Sequence, residues 1–344
     1  MPGGRPVEAE DLLRIRVVSD PQVSPDGRLV AFVVTTADWE QNRSLSRIWV
    51  VPVEGGSPRP LTRQGARDHS PRWSPDGRWL AFLSDRGGEK SQLWCLPVGG
   101  GEAWQVTRLD EGVESPAWSP DGRAIAFVSK VRIGEERPDT DVRVIRAARY
   151  RFDGEGFLDD KYRQIWVVDI DPERRSAGEP RRLTDGPYEH RSPAWSPAGS
   201  ELAFAAARYP GWELDIRSDI WAVRPDGSGL RQVTLSPGTW SRPVWSPDGS
   251  WIALVGARDL ARADDSNQFL WVVPAAGDAP QPLTERLDRW VGDHILGDLA
   301  EYPAGPAAWW APDGSRLWFL ASDQGNTHLF EVSSAGGEVR RIIG

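Results

Sequence analysis

One phrase recurs along the chain and dictates what it can fold into. It reads Val23-Ser24-Pro25-Asp26-Gly27, Trp73-Ser74-Pro75-Asp76-Gly77 and Trp118-Ser119-Pro120-Asp121-Gly122. It returns as Trp195-Ser196-Pro197-Ala198-Gly199, Trp245-Ser246-Pro247-Asp248-Gly249 and Trp310-Ala311-Pro312-Asp313-Gly314. The prolines stand 50, 45, 77, 50 and 65 residues apart. A period near 45 suits one four-stranded unit, and the longer spacings are that unit with insertions. Each copy is followed by a second phrase: Ile48-Trp49-Val50-Val51, Leu93-Trp94-Cys95-Leu96, Ile165-Trp166-Val167-Val168, Ile220-Trp221-Ala222-Val223, Leu270-Trp271-Val272-Val273 and Leu329-Phe330-Glu331-Val332. A third phrase closes the unit as Leu61-Thr62, Val106-Thr107, Leu183-Thr184, Val233-Thr234 and Leu283-Thr284, and becomes Ile342-Ile343 at the end.

Each phrase has a mechanical meaning. The residue before a proline avoids the helical region, so Ser70-Pro71-Arg72-Trp73 is extended. Pro75 presets φ and Gly77 supplies a positive φ, so Ser74 to Gly77 is a tight turn. Leu80 to Leu83 runs back, Leu93 to Leu96 forms a third strand, and Gly99-Gly100-Gly101 turns into a fourth at Gln105 to Thr107. Six such units make an all-β chain, a β-propeller of six recognisable four-stranded blades. The expected blades span about 18–62, 68–107, 113–184, 190–234, 240–284 and 305–343, in one domain over 1–344. The repeated tryptophans are large enough to fill the wedges between blades. The N-terminal stretch Leu12 to Val18 is expected to close the ring by pairing beside Arg340 to Ile343.

In this architecture the Pro-Asp-Gly turns and Gly-rich turns share one face. The loops between second and third strands, and between blades, share the other, where every long insertion falls. Variable loops on a rigid scaffold are where binding usually resides. The largest insertion spans 130–163 in the third blade. It presents Arg149, Tyr150, Arg151 and Phe152, with Trp212 from the fourth blade, as candidates for substrate or domain contact. The alternative is that these aromatics pack the insertion onto its own blade. His69, Glu114, Arg191 and Ser241, at the start of the first strands, are candidates for the rim of a central channel.

Other chemistries find little support. The net charge of −9 argues against a nucleic-acid partner, which requires a basic stripe. No apolar run approaches 18 residues, and Met1 to Glu10 has no signal-like core, so no membrane partner and a cytoplasmic location are expected. Cys95 is the only cysteine, which excludes an intrachain disulfide. No Gly-x-Ser-x-Gly elbow, His-Glu-x-x-His or Walker loop occurs. The Asp-Gly pairs read as hairpin turns and not as calcium loops. No cofactor, no metal and no catalytic residue is therefore expected in this chain. His69 and His190 occupy nearly equivalent places in two blades and so do not meet in one site. Asp159-Asp160 and Asp264-Asp265 read as solvated loop charges.

The repeat Trp-Ser-Pro-Asp-Gly-x-x-x-Ala-Phe resembles the propeller repeats of TolB-like proteins and of the prolyl oligopeptidase family. Glu10-Asp11-Leu12-Leu13-Arg14-Ile15, followed by Val18-Ser19-Asp20-Pro21-Gln22-Val23, is similar to the opening of the acylaminoacyl peptidase-like members. Arg149-Tyr150-Arg151-Phe152-Asp153-Gly154-Glu155-Gly156-Phe157 resembles the same subgroup. The resemblance implies a serine peptidase built from a propeller and an α/β-hydrolase domain, with the catalytic triad in the latter. No triad residue has a counterpart in these 344 residues. The family's propeller commonly has seven blades, so a form one blade short is a further expectation. The implied role is a non-catalytic, substrate-gating propeller whose partners are the α/β-hydrolase domain or short peptides. The alternative is a stand-alone TolB-like interaction scaffold. The oligomeric state is not legible.

Overall fold

The computed structural model describes residues 5–6, 8–63, 65–134, 140, 142–260, 267–294 and 305–344. Asp264 and Asp265 lie outside them, as does part of the passage into the last blade. The chain is a six-bladed β-propeller made of consecutive antiparallel sheets. Blade 1 runs Val17–Val23, Leu29–Asp38, Arg43–Pro52 and Arg59–Pro60. Blade 2 runs Asp68–Trp73, Trp79–Ser84, Gln92–Pro97 and Trp104–Gln105. Blade 3 runs Glu114–Trp118, Ala124–Arg132 and Lys161–Asp171, and the last of these pairs with both Ser176–Ala177 and Arg181–Arg182. Blade 4 comprises His190–Trp195, Leu202–Ala206, Asp219–Val223 and Arg231–Gln232. Blade 5 comprises Ser241–Trp245, Trp251–Gly256, Phe269–Pro274 and Gln281–Pro282. Blade 6 comprises Trp309–Trp310, Arg316–Asp323, Asn326–Ser333 and Arg340–Ile343. Two short 3-10 turns, Ala9–Arg14 and Trp212–Leu214, are the helical elements among the described residues, and no helix there is long and apolar enough to cross a membrane.

The repeated residues hold each blade in three ways. The serine of the turn phrase accepts a hydrogen bond from the first amide of the returning strand, from Leu29 N to Ser24 Oγ at 2.9 Å and from Trp251 N to Ser246 Oγ at 2.9 Å. The same hydroxyls donate to Asp26 and Asp248, at 2.6 and 2.5 Å. The threonine of the closing phrase is buried and accepts a third-strand amide: Ile48 to Thr62, Leu93 to Thr107, Ile165 to Thr184, Ile220 to Thr234 and Leu270 to Thr284. The tryptophan before the turn donates its indole N–H to the first strand of the preceding blade. Trp73 reaches Gln22 O at 2.9 Å, Trp195 reaches Ala117 O at 3.1 Å, Trp245 reaches Ala194 O at 3.0 Å and Trp310 reaches Val244 O at 3.1 Å. These rings are therefore oriented by a backbone acceptor as well as by apolar contact.

Every first strand except the last carries the same defect. The residue before the proline of an X-Pro pair takes a positive φ, with Asp20, Ser70, Ser115, Ser192 and Arg242 between 47° and 56°, and in blades 1, 2, 4 and 5 the register slips beside it. A bulge of this kind twists the strand and re-aims the side chains around it.

The chain divides into two compact units, one holding blades 1 and 2 and the other holding most of blade 3 with blades 4 to 6. In the first, Ala31, Ile48, Leu80, Phe82 and Leu96 form a core drawn from both sheets. In the second, successive cores form between neighbouring sheets, around Phe204, around Trp240 with Trp271, and around Phe319 with Phe330. The residues expected to close the ring find partners in their own blades. Leu12 lies in a 3-10 turn, and Val17–Val23 pairs with Leu29–Asp38 inside blade 1. The fourth strand of blade 6 pairs with Asn326–Ser333. The local partner wins because the Ser24 turn joins the two strands with very little loop entropy to overcome.

Candidate functional site

The insertion of blade 3 grows from an extension of its central hairpin. Pairing continues through Lys130 with Arg163, Val131 with Tyr162 and Arg132 with Lys161, beyond the length reached in blades 2, 4 and 5. From this stem projects a small hairpin, Arg151–Phe152 against Gly156–Phe157. Gly154 and Gly156 turn it with φ of 79° and 74°. Asp159 and Asp160 then return the chain through two left-handed residues in succession, at 51° and 57°. They are not simply solvated. Arg143 pairs with Asp159 at 3.3 Å and Arg146 with Asp160 at 3.2 Å, and each carboxylate is about a quarter exposed.

Arg149 ties this insertion to blade 4. Its guanidinium donates to the carbonyls of Glu213, at 3.0 Å, and Asp215, and lies 5.4 Å over the Trp212 ring. Trp212 follows Gly211, whose φ of 75° starts the short turn. Its ring is buried edge-on against Tyr162 and Tyr188, at 6.1 and 6.5 Å. Arg149 and Trp212 thus meet, as a packed joint. Tyr150, Arg151 and Phe152 project outward and are exposed. Tyr150 and Arg143 lie against Phe157, at 6.3 and 3.9 Å. Phe152 is 61% exposed and joins Val142, Val144, Ile145 and Leu214 as exposed apolar groups. A cavity of about 130 Å³ opens beneath, lined by Arg132, Ile145, Tyr150, Leu158 and Tyr162 among others.

A chain of charges links the insertion to Arg191. Lys130 and Arg163 both bind Glu155, at 2.6 and 2.8 Å. Arg163 also binds Glu189 at 3.1 Å, and Glu189 binds Arg191 at 3.1 Å. Burial acts to raise the Glu155 carboxyl, but the hydrogen bonds from Arg163 and Lys130 outweigh it and hold it at about 2. The alternation of signs keeps the nearly buried Arg163 satisfied.

The other rim candidates occupy one repeated position, immediately before the bulge. His69 lies within reach of the Ser70 and Ser91 hydroxyls, at 3.1 and 3.3 Å. Ser241 donates to Val255 O at 3.2 Å, and Glu114 is half-buried at its strand start. His69 and His190 are not equivalent. Register pairs His69 with Leu83 but His190 with Ala206, so His190 corresponds to Asp68. One residue of offset places them on opposite faces. His190 is fully buried, with Nδ1 2.9 Å from Arg163 O and Nε2 2.7 Å from Arg208 Nη1. The arginine must donate, so the imidazole is neutral with its proton on Nδ1. Burial, with the charge of Arg208, holds it down at about 4. Asp68, also fully buried, pairs with Arg86 at 2.6 Å. Sequence reasoning missed this arginine, whose signal is its recurrence two residues after the second strand. Arg86, Arg208 and Arg258 lie over Trp94, Trp221 and Trp271, at 5.1, 5.7 and 5.4 Å.

Comparison with known proteins agrees with the propeller fold. The family model of the TolB β-propeller domain matches residues 15–145. An uncharacterized peptidase of Bacillus subtilis, YuxL, is 32% identical over 338 residues. That alignment takes in 96% of this chain and 50% of the relative. The resemblance to the propeller of the prolyl oligopeptidase family holds. Pyrococcus horikoshii acylaminoacyl peptidase superposes with a TM-score of 0.71 at 20% identity, over 97% of this chain and 47% of that one. The β-propeller domain of the trilobed protease from Pyrococcus furiosus, described as having an open velcro topology, gives 0.60 at 19% identity, over 96% and 85%. The chain spans about half the length of the first of these relatives.

Proposed function

We propose that this chain is the substrate-gating propeller of an acylaminoacyl peptidase-like serine peptidase, non-catalytic by itself. The observation that carries the reading is the identity to a peptidase, which runs over 96% of this chain but only half of the relative. The other half of such an enzyme is expected to be the α/β-hydrolase domain, and the substrates short peptides. Gating works by exclusion. A rigid scaffold admits a thin, unfolded chain and turns away a folded one, so loop shape matters more than any single residue. Tyr150, Arg151 and Phe152 are the surface offered to the hydrolase domain or the peptide. Exposed aromatic and arginine side chains on a braced hairpin suit such contact, because they bring large area at little further entropic cost. Arg149 and Trp212 hold that hairpin in place. His69, Glu114, Arg191 and Ser241 would rim the passage. A cytoplasmic location accompanies this reading.

The TolB-like scaffold is the second reading, favoured by the family match and by the apolar groups around Phe152. The purified chain separates both from autonomous catalysis. It should release no product from N-acetyl-aminoacyl anilides, and genuine turnover would overturn the proposal. Binding of an α/β-hydrolase domain that is lost in Phe152→Ala, with the fold intact, would favour gating over the scaffold.

A further inference from the structure

Four of the five first strands with a left-handed residue place aspartate or serine there, and blade 5 places Arg242 there, at φ 51°. Small polar residues tolerate this conformation, whereas a long side chain gains nothing from it. Such an outlier is a reason to look for a use. The Arg242 guanidinium is drawn out of water, and burial lowers it below the ordinary arginine range. Among the described residues it pairs with no carboxylate, and its Nη2 donates to Val291 O at 3.4 Å.

Two ring nitrogens of the segment around Val291 lack partners. The Trp290 and His294 rings stack at 4.3 Å, and buried Trp290 Nε1 and His294 Nε2 have no hydrogen-bond partner among the described residues. Burying such a group unpaired is costly, so native proteins rarely do so without a use. Gly292, at φ 124°, lies between them. A Cβ there would sit 2.8 Å from His294 Nε2 and 3.5 Å from Arg242 Nη2, so the two nitrogens flank this glycine, where any side chain would crowd them. The spot is framed by blades 5 and 6. Val291 N donates to Gln268 O at 2.9 Å, Gly292 N to Leu320 O at 2.7 Å and His294 N to Ser322 Oγ at 2.8 Å.

We infer that Arg242, His294 and Trp290 form a binding site for a carboxylate. A guanidinium presents paired donors matched to a carboxylate's two oxygens, and the indole adds a neutral N–H. One fixed cation suits one negative charge. His294 completes the site by changing state. Burial and Arg242 lower its pKa, against the opposing pull of a backbone hydrogen bond to Val291 and of Asp293, whose Oδ1 accepts a hydrogen bond from Thr327 at 2.5 Å. A bound carboxylate would cancel the effect of Arg242 and draw a proton onto Nε2, making it a donor. The inference goes beyond the gating reading and does not depend on it, since binding can be read on this chain alone. The carboxylate could be the C-terminus of a peptide or an acidic side chain.

The test is histidine-ring NMR of the full chain, with the His294 signal assigned by its loss in His294→Gln. The probes are N-acetyl-Gly-Gly, its C-terminal amide, and N-acetyl-Gly-Asp-amide. At least one carboxylate probe should shift the His294 signal and raise its pKa, and the N-acetyl-Gly-Gly amide should not. Arg242→Gln should weaken binding at least tenfold while leaving the melting temperature unchanged or higher, because it removes an unpaired buried cation. Response to N-acetyl-Gly-Gly alone assigns a peptide terminus, and response to the aspartyl probe alone assigns an acidic side chain. No response to either carboxylate, an equal response to the amide, or undiminished binding in Arg242→Gln overturns the site.

Discussion

Replacing Thr184 with valine tests the closing phrase at the level of single atoms. The Thr184 hydroxyl accepts the Ile165 amide at 2.9 Å and donates to Gln164 Oε1 at 2.8 Å. All three residues are buried, Ile165 and Gln164 completely. Valine keeps the shape, so no cavity enters the comparison. It leaves a backbone N–H without an acceptor, which costs about 1–3 kcal/mol, and takes one donor from the glutamine. The added methyl returns at most about 0.8 kcal/mol. The net expectation is a loss of about 1–2 kcal/mol, read as a lower urea midpoint at unchanged slope. Thr184→Ser supplies the control, since it keeps the hydroxyl and loses a methyl, about 0.8 kcal/mol. Hydrogen exchange of the Ile165 amide should quicken in the valine variant only. A valine variant as stable as the parent, with Ile165 exchange unchanged, would refute the reasoning.

Other perturbations have equally definite outcomes. His190 is held at about 4 against an ordinary value of 6.5. Its contribution is complete above pH 6.5 and is lost as pH falls toward 4, by about 3 kcal/mol. His190→Gln should flatten that part of the stability curve, and an unchanged slope would refute the assignment. Burial, with a smaller effect of Asp76, pushes the Cys95 thiol up to about 12. A disulfide reagent at pH 8 should leave Cys95 untouched in the folded chain and label it at once in urea. Gly256→Ala would set a Cβ 2.1 Å from Thr239 O, so its melting temperature should fall by the equivalent of about 1–3 kcal/mol or more. Glu155→Gln removes the anion shared by Lys130 and Arg163, and limited proteolysis should then cut the 151–157 hairpin faster than in the parent.

The blades were legible because their marks are local. Proline and glycine fix a turn within a few residues, and the tryptophan, threonine and serine phrases recur at the same offsets in nearly every unit. Their precise duties were not legible. Nothing in the phrase Leu183-Thr184 says that its hydroxyl caps the Ile165 amide, or that Trp195 donates to Ala117 O, because both partners are set by pairing between distant segments. The same holds at the candidate site. The sequence singles out Arg149 and Trp212 as unusual residues in long loops, but only folding brings them together as a packed joint. Arg242, beside Ser241, carries no such mark, since strain at a bulge and the neighbourhood of Gly292 and His294 have no linear signature. The N-terminal segment is the opposite case. The Asp20-Pro21 bulge and the Ser24 turn mark it locally as a first strand of blade 1, which outranks any general rule about rings.

The gating claim meets its most direct test in a polypeptide joining this chain to an α/β-hydrolase domain. Its cleavage of N-acetylated peptides of rising length is compared with cleavage of a folded protein bearing the same terminal sequence. Short peptides should be cut and the folded protein spared, with the length cutoff relaxed when the 151–157 hairpin is removed. Equal cleavage of both, or a cutoff indifferent to the hairpin, would contradict a propeller that selects by size.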